Sequence, residues 1–200
     1  MSASVAVIAY GAGNVASVQF ALERLGARVV LTDDPAVIAA AERVILPGVG
    51  AAAYAMGRLK ALGLIEPIRA FTRPLLGVCL GQQLLFESSD EGDTPLLGLI
   101  PGRVRRLEPG GNRTVPHMGW SRLERVRDDP LTEGLDDRPY AYFVHSYACP
   151  DGPATLAWAD YGGPVPAIVG RDNFRGCQFH PERSAEAGAR ILNAFLELPA

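Results

Sequence analysis

The chain of 200 residues is 48% apolar and 20% charged, enough to bury a core and of a length for one domain over 1–200. Its formal net charge is -3 and its only close basic cluster is Arg103, Arg105 and Arg106, which argues against a nucleic-acid or anionic-membrane partner. Three cysteines without CxxC spacing suggest neither a disulfide framework nor a zinc site, no signal peptide is legible and no apolar run reaches a membrane span of roughly 18 residues; the expectation is a reduced, cytoplasmic protein without metal or cofactor.

In chain order, residues 5–10 read as a buried strand. Residues 14–25 place Val15, Val18, Leu22 and Leu25 at helical spacing, with Gly26 positioned to end the helix. Residues 29–31, 44–46 and 75–78 are further short apolar strands, separated by helical stretches over 35–41 and 51–70. This alternation predicts an α/β fold with a mostly parallel central sheet flanked by helices. From residue 102 the pattern changes. Short pieces at 104–107, 140–144, 155–159, 167–171 and 176–179, joined by Gly, Pro and Asp turns, predict an antiparallel extension of the sheet in the C-terminal half. Ser184 is placed as N-cap of a closing helix with Ile191, Leu192, Phe195 and Leu196 on its inward face.

Four segments carry possible chemistry. Gly11-Ala12-Gly13-Asn14-Val15-Ala16 satisfies the permissive dinucleotide fingerprint, with Asp33 or Asp34 placed for a ribose, so an NAD-binding protein is one reading; a plain strand-to-helix turn capped by Asn14 is the other. Gly77-Val78-Cys79-Leu80-Gly81 sets a cysteine between glycines at a strand-to-helix junction. A buried cysteine is usually core filler, but side chains two before and two after a nucleophile elbow would collide with their neighbours, and glycine avoids that. The turn also aims the Leu80 N–H at the reaction centre and puts sulfur near a helix N-terminus. His180-Pro181-Glu182 follows a strand-like segment, so His180 can face Cys79 as general base while Glu182 holds its other nitrogen. Leu46-Pro47-Gly48-Val49-Gly50 ends a strand and offers backbone donors for an oxyanion.

Together these residues resemble the class I, triad-type glutamine amidotransferases: the elbow at Cys79 followed by Gln82-Gln83-Leu84 matches the family's cysteine motif, and His180-Pro181-Glu182 its His-Glu pair. Within that family, Tyr10-Gly11-Ala12-Gly13-Asn14, Pro47-Gly48-Val49-Gly50, Pro116-His117-Met118-Gly119-Trp120 and Tyr142-Phe143-Val144-His145-Ser146-Tyr147 look like the glutaminase subunits of imidazole glycerol phosphate synthases, of histidine biosynthesis. Glutaminase subunits of the pyridoxal phosphate synthase type are similar in size and triad, but their Gly-Gly-Glu-Ser type motif is missing.

The resemblance implies a flavodoxin-like α/β fold and hydrolysis of L-glutamine by Cys79, His180 and Glu182, with an oxyanion hole from Val49, Gly50 and Leu80. It implies Gln83, Ser146 and Tyr147 as contacts for the glutamine amino and carboxylate groups. It also implies a heterodimer with a (β/α)₈ synthase subunit that receives the ammonia, with Asn14, Trp120, Tyr142 and Arg183 at or near the interface. Arg183 stands where many relatives carry Lys. On this reading the turn from Gly11 to Asn14 lies at the subunit face and the NAD role falls away.

Overall fold

A computed structural model of the chain describes residues 3–111, 113–136 and 138–200. In the first half β1 (Ser4–Ile8), α1 (Val15–Arg24), β2 (Arg28–Thr32), α2 (Pro35–Ala40) and β3 (Val44–Gly48) alternate as the periodicity predicts. The Asn14 side chain accepts from Ser17 N at 3.4 Å and caps α1, while Gly26 adopts φ +82° beyond its end. The helical stretch over 51–70 is two helices, α3 (Ala52–Ala61) and α4 (Ile65–Arg69). Gly63 at φ +67° breaks the ladder between them. β4 (Leu75–Cys79) and the five-residue α5 (Leu80–Leu84) follow.

The second half contains β5 (Ser88–Ser89), β6 (Thr94–Pro95), β7 (Arg103–Arg106), β8 (His117–Arg125), β9 (Tyr140–His145), β10 (Tyr147–Ala148), β11 (Thr155–Asp160), β12 (Pro164–Arg171), β13 (Phe174–Cys177) and α6 (Ala185–Glu197). One nine-stranded sheet has the order β2-β1-β3-β4-β13-β12-β11-β8-β9, and a four-stranded sheet the order β10-β7-β5-β6. Strands β2 through β13 in that order are parallel, and the remaining four are antiparallel.

Three expectations are corrected. Residues 104–107 do not extend the main sheet, because β7 pairs with β5 and β10 in the smaller one. The segment 176–179 is not antiparallel to its inner neighbour: β13 lies beside β4 in parallel, with Cys177 level with Val78. Ser184 stands at the N-cap position of α6 as expected, but its side chain makes no cap hydrogen bond; its Oγ donates to His180 O at 2.7 Å and accepts from Tyr142 N at 2.9 Å.

Strand alternation divides the core between the faces. Val5, Val7, Ile45 and Leu76 pack with Leu22 of α1 and Ile191 and Phe195 of α6. Ala6, Ile8, Leu46 and Leu75 face the other way, toward Ile38 of α2, Leu59 of α3 and Ile68 of α4. The antiparallel half curls until β9, at the far edge, reaches the end of β13. His180 N donates to Tyr142 O at 3.0 Å, and the rings of Phe143 and Phe179 meet edge to face at 5.7 Å.

A polar seam joins β8 to β9. His145 Nδ1 lies 2.9 Å from Tyr147 O, which can only accept, so that nitrogen carries the proton. His145 Nε2 then accepts from His117 Nδ1 at 3.0 Å, and His117 Nε2 accepts from Ser121 Oγ at 2.9 Å. Both rings are thus neutral. Burial is the main reason that His117 is lowered to about 3, aided by His145 and Arg113. Burial likewise lowers His145 to about 4, against the Tyr147 hydrogen bond and with the help of the His180 charge.

Two measurements check this architecture. Gly188 of α6 packs against the turn at residues 181–183, where an added Cβ would lie 1.9 Å from Pro181 O, whereas one at Gly57 of α3 meets nothing within 4 Å. Gly57→Ala should therefore raise stability by up to about 1 kcal/mol, while Gly188→Ala should lower it by at least about 1 kcal/mol despite the better helix former, as read by urea unfolding. The seam predicts a pH effect. Because His117 and His145 bind protons more weakly when folded than the unfolded value of 6.5, their contribution is present above 6.5 and lost as pH falls toward 4. Unfolding free energy should fall steadily from pH 6.5 to 4.5, and His117→Gln should flatten that slope by about half, one titrating proton of two.

Candidate active site

Cys79 ends β4 with φ +55° and ψ -112°, outside the ordinary helical and extended regions. The glycines around it are required by contact rather than by flexibility. A Cβ on Gly77 would lie 2.5 Å from Gly81 O, one on Gly81 would lie 1.9 Å from Leu46 O, and one on Gly48 would lie 2.7 Å from Gly81 N. The backbones of β3, β4 and α5 therefore touch, and the cysteine is pushed out at the C-terminal edge of the sheet. The short α5 limits what a helix dipole adds at the sulfur, less than the sequence reading supposed.

The parallel register of β13 on β4 brings the residues after Cys177 out at the same edge. His180 Nδ1 lies 2.9 Å from Glu182 Oε1, a contact made within the turn at residues 181–183. Burial works against a charged His180, but hydrogen bonding and charge from Cys79 and Glu182 outweigh it and push the pKa from 6.5 up to about 10. His180 therefore holds a proton across the neutral range. The Ser184 hydroxyl and the Tyr142 carbonyl fix its backbone.

A cleft of about 370 Å³ opens over these groups. Cys79, His180, Leu80 and Gly50 line it, as do Val49, Gln83, Ser146 and Tyr147. Glu182 sits behind His180, its side chain only 2% exposed. The Val49 N–H is engaged elsewhere: it donates to Ala12 O at 3.0 Å. Tyr10 anchors the same segment by donating its hydroxyl to Pro47 O at 2.8 Å.

This packing also explains the glycine turn at residues 11–16. Gly11 has φ +89°, and a Cβ on Gly13 would sit 3.1 Å from Pro47, so the turn is shaped to lie against residues 47–49. Asn14, Trp120, Tyr142 and Arg183 do not line the cleft. Trp120 is 53% exposed and pairs across β8 and β9 with Tyr142, ring centroids 5.9 Å apart, and Met118 and Tyr140 are exposed on the same ribbon.

Glu91 also lines the cleft and was missed in the sequence, where it is one acid among several in a polar loop. One of its carboxylate oxygens accepts from Ala52 N at 2.7 Å, at the start of α3. Among the described residues no group of three His, Cys, Asp or Glu is placed to hold a metal ion, and no helix is long and apolar enough to cross a membrane.

The model of the family "Glutamine amidotransferase class-I" matches residues 6–198. The imidazole glycerol phosphate synthase subunit HisH of Xanthomonas axonopodis pv. citri is 54% identical over 194 residues, 97% of each chain. The HisH subunit of Xylella fastidiosa is 55% identical over 196 residues, 98% of each. Among solved structures, a glutamine amidotransferase superposes with a TM-score of 0.75 at 23% identity, covering 96% of this chain and 97% of that one. PurLQS from Thermotoga maritima gives 0.71 at 20% identity, covering 98% of each chain; at such identities both likenesses speak for the fold alone. The elbow, the His-Glu pair and these relatives agree: the chain belongs to the class I glutamine amidotransferases and, within them, to the HisH family.

Proposed function

We propose that the chain is the glutaminase subunit of an imidazole glycerol phosphate synthase, a single amidotransferase domain that works in the cytoplasm. The observation that carries this reading is the convergence of Cys79 on its strained elbow and the His180–Glu182 pair on one cleft.

Glutamine enters with its side-chain amide toward Cys79. Its α-ammonium faces Glu91, the lining carboxylate not committed to His180, and the Gln83, Ser146 and Tyr147 side of the cleft orients the ammonium and carboxylate. The Cys79 thiolate attacks the amide carbon, forming a tetrahedral oxyanion. Protonated His180 gives its proton to the departing nitrogen, ammonia leaves and a glutamyl thioester remains. Neutral His180, held by Glu182, then takes a proton from water, whose oxygen attacks the thioester. Glutamate leaves and Cys79 is restored.

The oxyanion is received by the Leu80 N–H and by donors from Val49 and Gly50. Since Val49 N–H rests on Ala12 O, it serves only after that bond is released and the segment turns. One such donor is worth about 3 kcal/mol, so the resting arrangement predicts a slow isolated subunit. A (β/α)₈ synthase subunit docking near Asn14, Trp120, Tyr142 and Arg183 is the agent of release, because the turn that holds Val49 is the turn that Asn14 ends. Ammonia then passes to that partner, which makes imidazole glycerol phosphate and aminoimidazole carboxamide ribotide. The exposed Met118, Trp120 and Tyr140 ribbon supplies an apolar face for the heterodimer.

Cys79→Ser should lower glutamine hydrolysis at least about a thousandfold while calorimetry still records glutamine binding; retained turnover would falsify the nucleophile assignment. Mixing the chain with a cognate synthase subunit and its ribonucleotide ligand should give glutamine-dependent imidazole glycerol phosphate and raise glutaminase turnover by about a hundredfold or more, the worth of one oxyanion donor. Equal turnover with and without the partner would remove the proposed release of Val49.

A further inference from the structure

Gln178 has no part in the chemistry above, yet it is fully buried between Cys79 and Gln83. Its side-chain Oε1 lies 2.9 Å from Gln83 Nε2, and its Nε2 lies 3.8 Å from Cys79 Sγ. One backbone carbonyl sets the orientation of both amides. Tyr147 O can only accept, and Gln83 Nε2 lies 2.8 Å from it, so Gln83 turns its NH₂ that way. The second proton of that NH₂ meets Gln178, which must answer with oxygen. The Gln178 NH₂ is left facing sulfur.

Two consequences follow for the cleft. With both amide protons committed, Gln83 offers a ligand only its Oε1, an acceptor suited to an ammonium and not to a carboxylate. The sulfur, for its part, has Val144 O at 3.9 Å, which can take a proton from a thiol but repels a thiolate. Among the described side chains, the donors that hydrogen-bond Sγ are His180 and Gln178.

We propose that Gln178 is a hydrogen-bond donor to the Cys79 thiolate and, through the same amide, holds Gln83 as the acceptor for the α-ammonium of glutamine; this rests on the glutaminase reading and extends it to a residue outside the triad. A charge-assisted N–H bond in a buried site favours the ionised sulfur and points its lone pair. The titratable groups around Cys79 are the His180–Glu182 pair beyond β13, Cys177 in β13, Tyr10 after β1, Cys149 after β10, with His145 of β9 acting through His180. A change at Gln178 leaves all of them in place.

The test is the pH profile of Cys79 alkylation by iodoacetamide in the full chain, which reads the thiolate without needing glutamine turnover. Gln178→Met should move the midpoint upward by about one pH unit. In the complex with the synthase subunit, kcat should fall about tenfold and the KM for glutamine should rise, since Gln83 loses its brace. A Gln178→Met profile superimposable on the parent overturns the proposal, whatever the fate of the glutaminase assignment, which Cys79→Ser tests separately. Should the variant not fold, the parent chain decides: the Gln178 side-chain amide proton resonances should titrate with the alkylation midpoint, and shifts that do not follow it overturn the proposal.

Discussion

The close approach of Gly81 to the Leu46 carbonyl is the constraint on which the site depends. No side chain fits at Gly81, and Gly77 and Gly48 are held to the same condition. Because the three backbones touch, the turn after β4 is so tight that Cys79 takes a strained conformation and leaves the sheet at its C-terminal edge. The same contact lays residues 47–50 alongside the elbow. Cys79 and the segment proposed for the oxyanion are therefore positioned by one packing event. A looser turn would lose both.

Electrostatics sort the three histidines into opposite roles. Burial disfavours a charged imidazole in every case, and what differs is the company. His180 has a carboxylate on Nδ1 and the influence of Cys79 besides, and together they push its pKa up to about 10. His117 and His145 hydrogen-bond to each other, a hydroxyl and a carbonyl, with the cations Arg113 and His180 nearby, and they stay neutral. The neutral pair keeps extra positive charge away from the cleft. It also braces Tyr147 O, the carbonyl from which the Gln83 and Gln178 orientations descend.

Local patterns made most of the parallel half legible, since its strands and helices carry their own periods and signals, as at the Asn14 cap and the Gly26 stop, although the break at Gly63 was passed over. The chemical groups were legible because Gly-x-Cys-x-Gly and His-Pro-Glu are short and carry their geometry with them. What stayed hidden depends on distant partners. β8 buries His117 and Ser121 while exposing Met118 and Trp120, an inverted polarity that conceals a strand from any search for apolar alternation. Nothing local tells that β13 slots in beside β4, that Ser184 serves His180 O instead of its own helix, or that Val49 N–H is taken by Ala12.

The insertion of β13 between β4 and β12 bears on how the protein comes into being. The central position of the large sheet is filled by the last strand of the chain, which pairs with a segment about a hundred residues earlier in sequence. Loop closure over such a span is slow and comes after local structure. A chain emerging from the ribosome thus has Cys79 long before it has His180 to set beside it. The proposed Cys79–His180 pair is assembled only when the sheet is complete, so half-made protein lacks the arrangement on which the glutaminase reading rests.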